Sequence, residues 1–227
     1  MLTGVNRLQE TKGYQTILFD LDGTLIDSVD GIVHSVNHAL KAFGMGVEDP
    51  GSLRKFVGPP LKQSFMSHCG FDEQKADEII KVYRKYYTEK GIYEHTVYPG
   101  IPGFLQSLKS MGKTLAVATS KAEPIAKRIL EYLELADYFT VISGSNMDGS
   151  GGAKDQVLRK CLDALNTSRY EDIVLVGDTV FDIVGARKIG IDSVAVLYGY
   201  GTLEALNKEN PTHIVKTVED LGRLLTV

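Results

Sequence analysis

Thiols are scarce in this chain: its two cysteines, Cys69 and Cys161, stand far apart with no neighbouring thiol. That spacing excludes a disulfide framework and a CxxC metal or redox site, and it suits a reducing cytoplasm. Surplus positive charge is also missing, since 25 Lys and Arg face 29 Asp and Glu for a net charge of -4. Nothing in that balance provides a footprint for a nucleic-acid polymer or an anionic membrane, so a small anion has to be caught locally. No stretch approaches the ~18 apolar residues of a membrane span. Met1–Gln15 mixes Arg7, Glu10 and Lys12 with polar residues where a signal peptide would be apolar. What remains is an ordinary globular composition, 43% hydrophobic and 24% charged, able to bury a core. At 227 residues, one medium domain carrying a substantial insertion fits best.

Short β-rich runs recur at Thr16–Asp20, Thr114–Thr119, Thr140–Ser143, Ile173–Gly177, Ser193–Leu197 and His213–Val215. Between them, at Ile101–Met111, Glu123–Leu135, Asp155–Leu165 and Phe181–Ile189, apolar residues return at helical spacing, as crossovers between parallel strands require. The rhythm predicts an α/β fold with a Rossmann-like parallel sheet. It breaks after the first strand, where roughly seventy residues replace a single helix. Ser28–Phe43 carries Ile32, Val36, Ala39, Leu40 and Phe43 on one face. Pro60–Cys69 and Glu73–Lys90 read as two more helices, split by Gly58-Pro59-Pro60 and Gly70. An all-helical insert over 29–96 is therefore expected, with 1–28 and 97–227 forming the sheet domain and Tyr98-Pro99-Gly100 marking the return.

The polar residues collect at strand ends. Ile17-Leu18-Phe19 runs into Asp20-Leu21-Asp22-Gly23-Thr24, which sets two carboxylates two residues apart where ligands of open α/β sheets bind. Taken alone, that pattern fits a solvated Asp-Gly turn as well as a catalytic pair. Leu115–Ala118 ends in Thr119-Ser120-Lys121, and Ile173–Val176 ends in Gly177-Asp178-Thr179 with Asp182 close behind. Lys154 follows the flexible Gly149–Ala153 loop at the start of a predicted helix. A lone lysine there is ordinarily a solvated charge, but beside several acids it can hold a phosphate or orient a nucleophile.

In order along the chain, these residues resemble the four motifs of the haloacid dehalogenase-like hydrolases, specifically the Mg-dependent phosphatases with a helical cap inserted after the first motif. Phe19 to Ser28 matches the first motif almost letter for letter, Thr119 the second, Lys154 the third, and Gly177-Asp178-Thr179 with Asp182 the fourth. The resemblance covers Thr16 to Val227. It implies that Asp20 attacks phosphorus to form an aspartyl phosphate, while Asp22 serves as acid and then base. It also implies Mg²⁺ held by Asp20, the backbone carbonyl of Asp22 and Asp178, with Asp182 beside that shell. Thr119 and Ser120 fall where the phosphoryl group would be bound, and Lys154 would set a cation against it. One departure is Asp155 after Lys154, where this family often has Pro, which leaves the local loop geometry open.

Within that superfamily, Asp22 argues against dehalogenase and phosphonate-cleaving members, and Ile32 occupies the position where a sugar phosphomutase usually carries a His. A non-catalytic regulator binding a phosphorylated ligand would lack Asp20 or Asp22. The segment Arg54 to Leu61 resembles the cap of phosphoglycolate phosphatase-like proteins and of a 5'-nucleotidase branch, so both substrates stay open. Arg54 and Lys62 flank its Gly-Pro-Pro turn, where they either meet a second anionic group of the substrate or sit as solvated surface cations. The expected partner is a small phosphorylated metabolite, handled by a cytoplasmic monomer or dimer. Three other features carry less. Gly149 to Asp155 lacks the GxxxxGK[ST] order of a nucleotide loop. His34 and His38 sit four apart with no third ligand. Tyr83, Tyr86 and Tyr87 read as cap core rather than a base-stacking platform.

Overall fold

The structure, a computed structural model, describes residues 13–46, 49–58 and 61–226. Its elements in chain order are β1 (Thr16–Phe19), β2 (Ile26–Asp27), α1 (Val29–Ala42), α2 (Pro50–Leu53), α3 (Leu61–Cys69), α4 (Glu73–Glu89) and β3 (Thr96–Val97). There follow α5 (Ile101–Ser110), β4 (Thr114–Ala122), α6 (Glu123–Tyr132), β5 (Val141–Ser145), α7 (Lys154–Leu165), β6 (Ile173–Gly177) and α8 (Val180–Ile189). The chain closes with β7 (Asp192–Val196), α9 (Leu203–Lys208), β8 (His213–Val215) and α10 (Val218–Leu225).

Alternation in the first strand builds the layers. Ile17 and Phe19 enter one face with Phe104, Leu105 and Ile129 of α5 and α6, while Leu18 enters the other with Leu158, Leu162 and Ala186 of α7 and α8. All three strand residues are fully buried, as a parallel sheet covered on both faces demands. Side chains of this size contribute roughly 1.5–3 kcal/mol each when buried. The six-stranded sheet runs β5-β4-β1-β6-β7-β8. β1 is therefore central, parallel to β4 and β6, with Phe19 opposite both Val117 and Val176. Residues just past those positions share one edge.

Between β2 and β3 the chain is helical. Asp72 accepts a hydrogen bond from the Lys75 amide at 2.8 Å and starts α4, whose stripe of Ala76, Ile79, Ile80, Tyr83 and Tyr87 is buried. Val29, Ile32, Val33, Val36, Ala39 and Leu40 of α1 are buried in the same hydrophobic cluster. The expected α/β class with an inserted helical unit is thus what forms.

Several boundaries differ from the sequence reading. β4 continues past Thr119 to Ala122, with a register shift between Ala118 and Ala122, and α7 begins on Lys154 rather than Asp155. The short antiparallel ribbon of β2 and β3, pairing Ile26 with Val97 and Asp27 with Thr96, was not foreseen, because two residues show no periodicity. Helices α9 and α10 were also absent from that reading. Pro59 and Pro60 of the expected Gly-Pro-Pro break, and the segment through residue 12 read as lacking a signal peptide, lie outside the described residues. Among the described residues no helix is long and apolar enough to cross a membrane.

Candidate active site

The edge where β1, β4 and β6 end collects the polar residues. The Asp20 amide donates to the Val176 carbonyl at 2.9 Å, which extends the ladder one residue beyond β1 and fixes the Asp20 side chain at the sheet edge. Lys154, at the first position of α7, reaches back so that its Nζ lies 2.7 Å from Asp20 Oδ1, 2.8 Å from Asp182 Oδ1 and 3.0 Å from the Ala118 carbonyl. Glycine makes room for that reach: a Cβ on Gly185 of α8 would stand 2.5 Å from Lys154 Cγ. Asp155, where the resembled family has Pro, simply occupies the first turn of α7 and pairs with Lys188 at 3.3 Å.

Asp178 and Asp182 are fully buried, and each is held by donors. Asp178 accepts from Thr24 Oγ1 at 3.2 Å and from the Tyr200 amide at 2.8 Å. Asp182 Oδ2 accepts from the Thr179 amide at 2.9 Å and its hydroxyl at 2.7 Å, a box that closes the start of α8. Gly23 has a left-handed φ of 81°, and a Cβ there would lie 2.2 Å from Asp178 Oδ2, so the Asp-Gly turn and the acid are built into one another.

Asp20, Asp178 and Asp182 bring carboxylate oxygens within 4.8 Å of one another. Burial raises the Asp20 carboxyl to about 6, with Lys154 opposing and Asp182 reinforcing the rise. Asp178 is raised well above the ordinary range by burial, then by Asp182 and Asp20. Burial works against the Lys154 ammonium, yet Asp182 and Asp20 together hold its pKa above the usual lysine value. Three buried acids share one ammonium, so full ionisation would leave an excess of negative charge, and the raised Asp20 and Asp178 carboxyls express that repulsion. A hard divalent cation fits that excess and that donor set, and Asp20, Asp178 and Asp182 are the acids placed to hold it.

The second acid of the turn lives in different surroundings. Asp22 Oδ2 lies 2.9 Å from Lys121 Nζ, and its Oδ1 is buried without a hydrogen-bond partner. Burial acts to raise Asp22, but the Lys121 ammonium outweighs it, and the carboxyl is held below its usual value. Thr119 is buried; its hydroxyl accepts from the Lys121 amide at 3.2 Å, leaving the hydroxyl proton for an oxyanion. The register shift in β4 spans Thr119, Ser120 and Lys121, and such irregularities re-aim side chains at strand ends. Ser120 is exposed.

The structure thus brings Asp20, Asp22, Thr119, Lys154, Asp178 and Asp182 to one sheet edge. It does not bring Lys62 there: its ammonium pairs with Glu73 at 3.3 Å and Asp77 at 3.1 Å, both on α4. Arg54 is exposed at the end of α2. His34 pairs with Glu94 at 2.9 Å, and His38 stacks on Tyr86 with ring centroids 4.5 Å apart, so the two histidines form no metal pair. Tyr83 and Tyr87 are core residues as expected, whereas Tyr86 is only partly buried. Lys121, Thr24, Tyr200 and Tyr87 carry the site without having been singled out for it. Lys121 and Thr24 had a visible signal, each as the last polar residue of a strand-end run.

Comparison with known proteins finds relatives that align along most of the chain. A family model described as haloacid dehalogenase-like hydrolase matches residues 17–196. A 5'-nucleotidase of Pseudomonas aeruginosa is 39% identical over 93% of this chain and 96% of its own length. A phosphoglycolate phosphatase of Aquifex aeolicus is 33% identical, again over 93% of this chain and 96% of its own. The solved structure of protein tyrosine kinase A from Mycobacterium tuberculosis superposes with a TM-score of 0.83 at 39% identity, covering 95% of this chain and all of that one (100%). With the family match running from the first strand to the seventh, and two close relatives aligned almost end to end, the chain belongs to the haloacid dehalogenase-like hydrolase family.

Proposed function

We propose that this chain is a Mg²⁺-dependent phosphatase that hydrolyses small phosphomonoesters through an aspartyl phosphate at Asp20. The observation that carries the reading is the unlike treatment of the two acids of one turn: Asp20 sits against Lys154 among Asp178 and Asp182, while Asp22 sits apart against Lys121. Two carboxyl groups with separate surroundings suit separate roles. Asp20 Oδ attacks phosphorus, and the bond from phosphorus to the leaving oxygen breaks. Because Lys121 favours the ionised form, Asp22 takes a proton from solvent as the ester binds and gives it to that oxygen. In the second half, water attacks the same phosphorus, Asp22 takes the water proton, and the Asp20 carboxylate is released with inorganic phosphate.

Thr119 donates to a phosphoryl oxygen, Ser120 stands next to it, and Lys154 holds Asp20 while countering phosphoryl charge. Asp20, Asp178 and the Asp22 backbone carbonyl would hold Mg²⁺, with Asp182 fixing Lys154 beside them. The bound ion supplies positive charge against an anionic nucleophile meeting an anionic substrate.

We divide the chain into a sheet domain, 1–28 with 97–227, and a cap, 29–96, that covers the phosphate site and excludes large substrates. Charge balance and isolated cysteines favour a cytoplasmic enzyme acting on soluble metabolites. A phosphoglycolate-like substrate stands first and a nucleoside monophosphate second, each being the named substrate class of a relative. Ile32 in the cap argues against a phosphomutase, and possession of both acids argues against a non-catalytic regulator. The kinase relative supports a further reading, in which a protein tyrosine replaces water as acceptor. A panel of phosphorylated metabolites with purified protein and Mg²⁺, scored for released phosphate, tests the assignment. Release from a small ester that disappears in Asp20→Asn supports it. Stable transfer to a tyrosine peptide without phosphate release would replace it with the kinase reading.

A further inference from the structure

Among the described residues, Lys121 is a cation at the sheet edge that the proposed reaction leaves without a task. It is partly buried between two parts of the chain: its Nζ lies 2.9 Å from Asp22 Oδ2 on the sheet side and donates to Tyr87 Oη at 2.6 Å on the helical side. The same ammonium stands 4.8 Å from the centre of the Tyr87 ring. Tyr87 belongs to α4, is 7% exposed, and stacks on Tyr83 at 5.5 Å with the planes 11° apart. Its hydroxyl lies 3.0 Å from His95 Nε2, next to β3 where the chain returns to the sheet.

An ammonium can only donate, which fixes the direction of its bonds to Asp22 and Tyr87. Tyr87 oxygen accepts from Lys121 and shares a second hydrogen bond with His95 Nε2, which leaves His95 Nδ1 at the far end of the line. That nitrogen is buried and has no hydrogen-bond partner. Burial, followed by Lys121, lowers His95 to about 4, in keeping with a neutral ring. The result is one polar line from the return strand through the helical insert to the second acid of the catalytic turn.

We propose that Lys121 and Tyr87 are positioning residues that fix Asp22 for proton transfer when the helical insert is seated. Lys121 occupies one carboxylate oxygen and leaves Asp22 Oδ1, the unpartnered atom, to exchange the proton. Tyr87 holds the lysine in that place from the insert, so the acid is set only while α4 lies against the sheet edge. The inference rests on the reading of Asp22 as proton donor.

Leaving-group dependence tests it. For the first half-reaction, kcat/KM toward an alkyl phosphate needs protonation of the leaving oxygen, whereas 4-nitrophenyl phosphate releases an anion that is stable without it. Tyr87→Phe keeps the ring and the stacking, and should lower kcat/KM for the alkyl ester by about tenfold while changing that for the nitrophenyl ester less than about twofold. The Tyr87→Phe, Lys121→Met double variant should be no worse toward the alkyl ester than Lys121→Met alone, because the two act as one unit. Equal losses of Tyr87→Phe on both esters, or multiplying losses in the double variant, overturn the proposal. Asp22→Asn is the control: if it shows the leaving-group dependence and Tyr87→Phe does not, only this inference falls. If Asp22→Asn shows none, the reading of Asp22 falls, and the inference with it.

Discussion

Replacing Lys154 with methionine removes one charge and leaves a side chain of similar length, which isolates what the ammonium does. In the wild type, that group touches Asp20, Asp182 and the Ala118 carbonyl, and its side chain is only 5% exposed. Breaking a buried ion pair from one side costs about 3–5 kcal/mol, because the stranded acids stay out of water. For a chain of this size, that corresponds to roughly 6–20 °C in melting temperature, at about 2–4 °C per kcal/mol. Burial already raises Asp20 to about 6, with Lys154 as the largest opposing influence, so the variant moves that carboxyl further up. A carboxyl whose folded pKa exceeds its unfolded value adds stability that is complete below the unfolded value, about 4, and lost as pH rises through the folded one. The gap between wild type and Lys154→Met should therefore widen from pH 5 to pH 8 in urea denaturation without metal, and adding Mg²⁺ should narrow it. A gap that stays constant, or shrinks as pH rises, would refute the electrostatic argument.

Further consequences follow from the same geometry. Turnover should vanish on chelation and return with Mg²⁺, with Ca²⁺ a poor substitute because its looser shell lets Asp20 bind in a non-attacking pose; full activity in excess chelator contradicts this. Gly23→Ala should cost about 1–2 kcal/mol for its left-handed backbone. By pushing Asp178 aside, it should also raise the Mg²⁺ concentration needed for half-maximal rate, and an unchanged requirement would count against the site as described. If Arg54 meets a second anionic group of the substrate, Arg54→Ala should raise KM more than it lowers kcat, since such a charge acts equally in ground and transition states. An unaltered substrate profile in that variant would remove Arg54 from substrate recognition.

The parts of the fold that showed in the sequence are those with local causes. Ile17, Leu18 and Phe19 alternate between two buried layers, and the strand-end residues Asp20, Thr119 and Asp178 meet because parallel strands place their ends together. What did not show depends on pairing between distant segments. Lys121 reads as one more polar residue until Asp22 and Tyr87 are brought to it from the first turn and from α4. Lys62 looked free beside its turn, yet Glu73 and Asp77, one helical turn apart on α4, engage it. The ribbon of β2 and β3 was too short to leave a pattern, and the hydrogen bond in which Tyr200 accepts from the Ser28 amide at 2.8 Å comes from the loop after β7.

The covalent step is the centre of the account, and it can be read directly at Asp20. Enzyme turning over a good phosphomonoester with Mg²⁺ is quenched in acid, reduced with borohydride and digested, and each carboxyl residue is inspected by mass spectrometry for conversion of an acyl phosphate to the alcohol. The account predicts conversion at residue 20 alone, dependent on both substrate and Mg²⁺, and none at Asp22, Asp178 or Asp182. Conversion at one of those three, or steady turnover with residue 20 never modified under rapid quench, would contradict it.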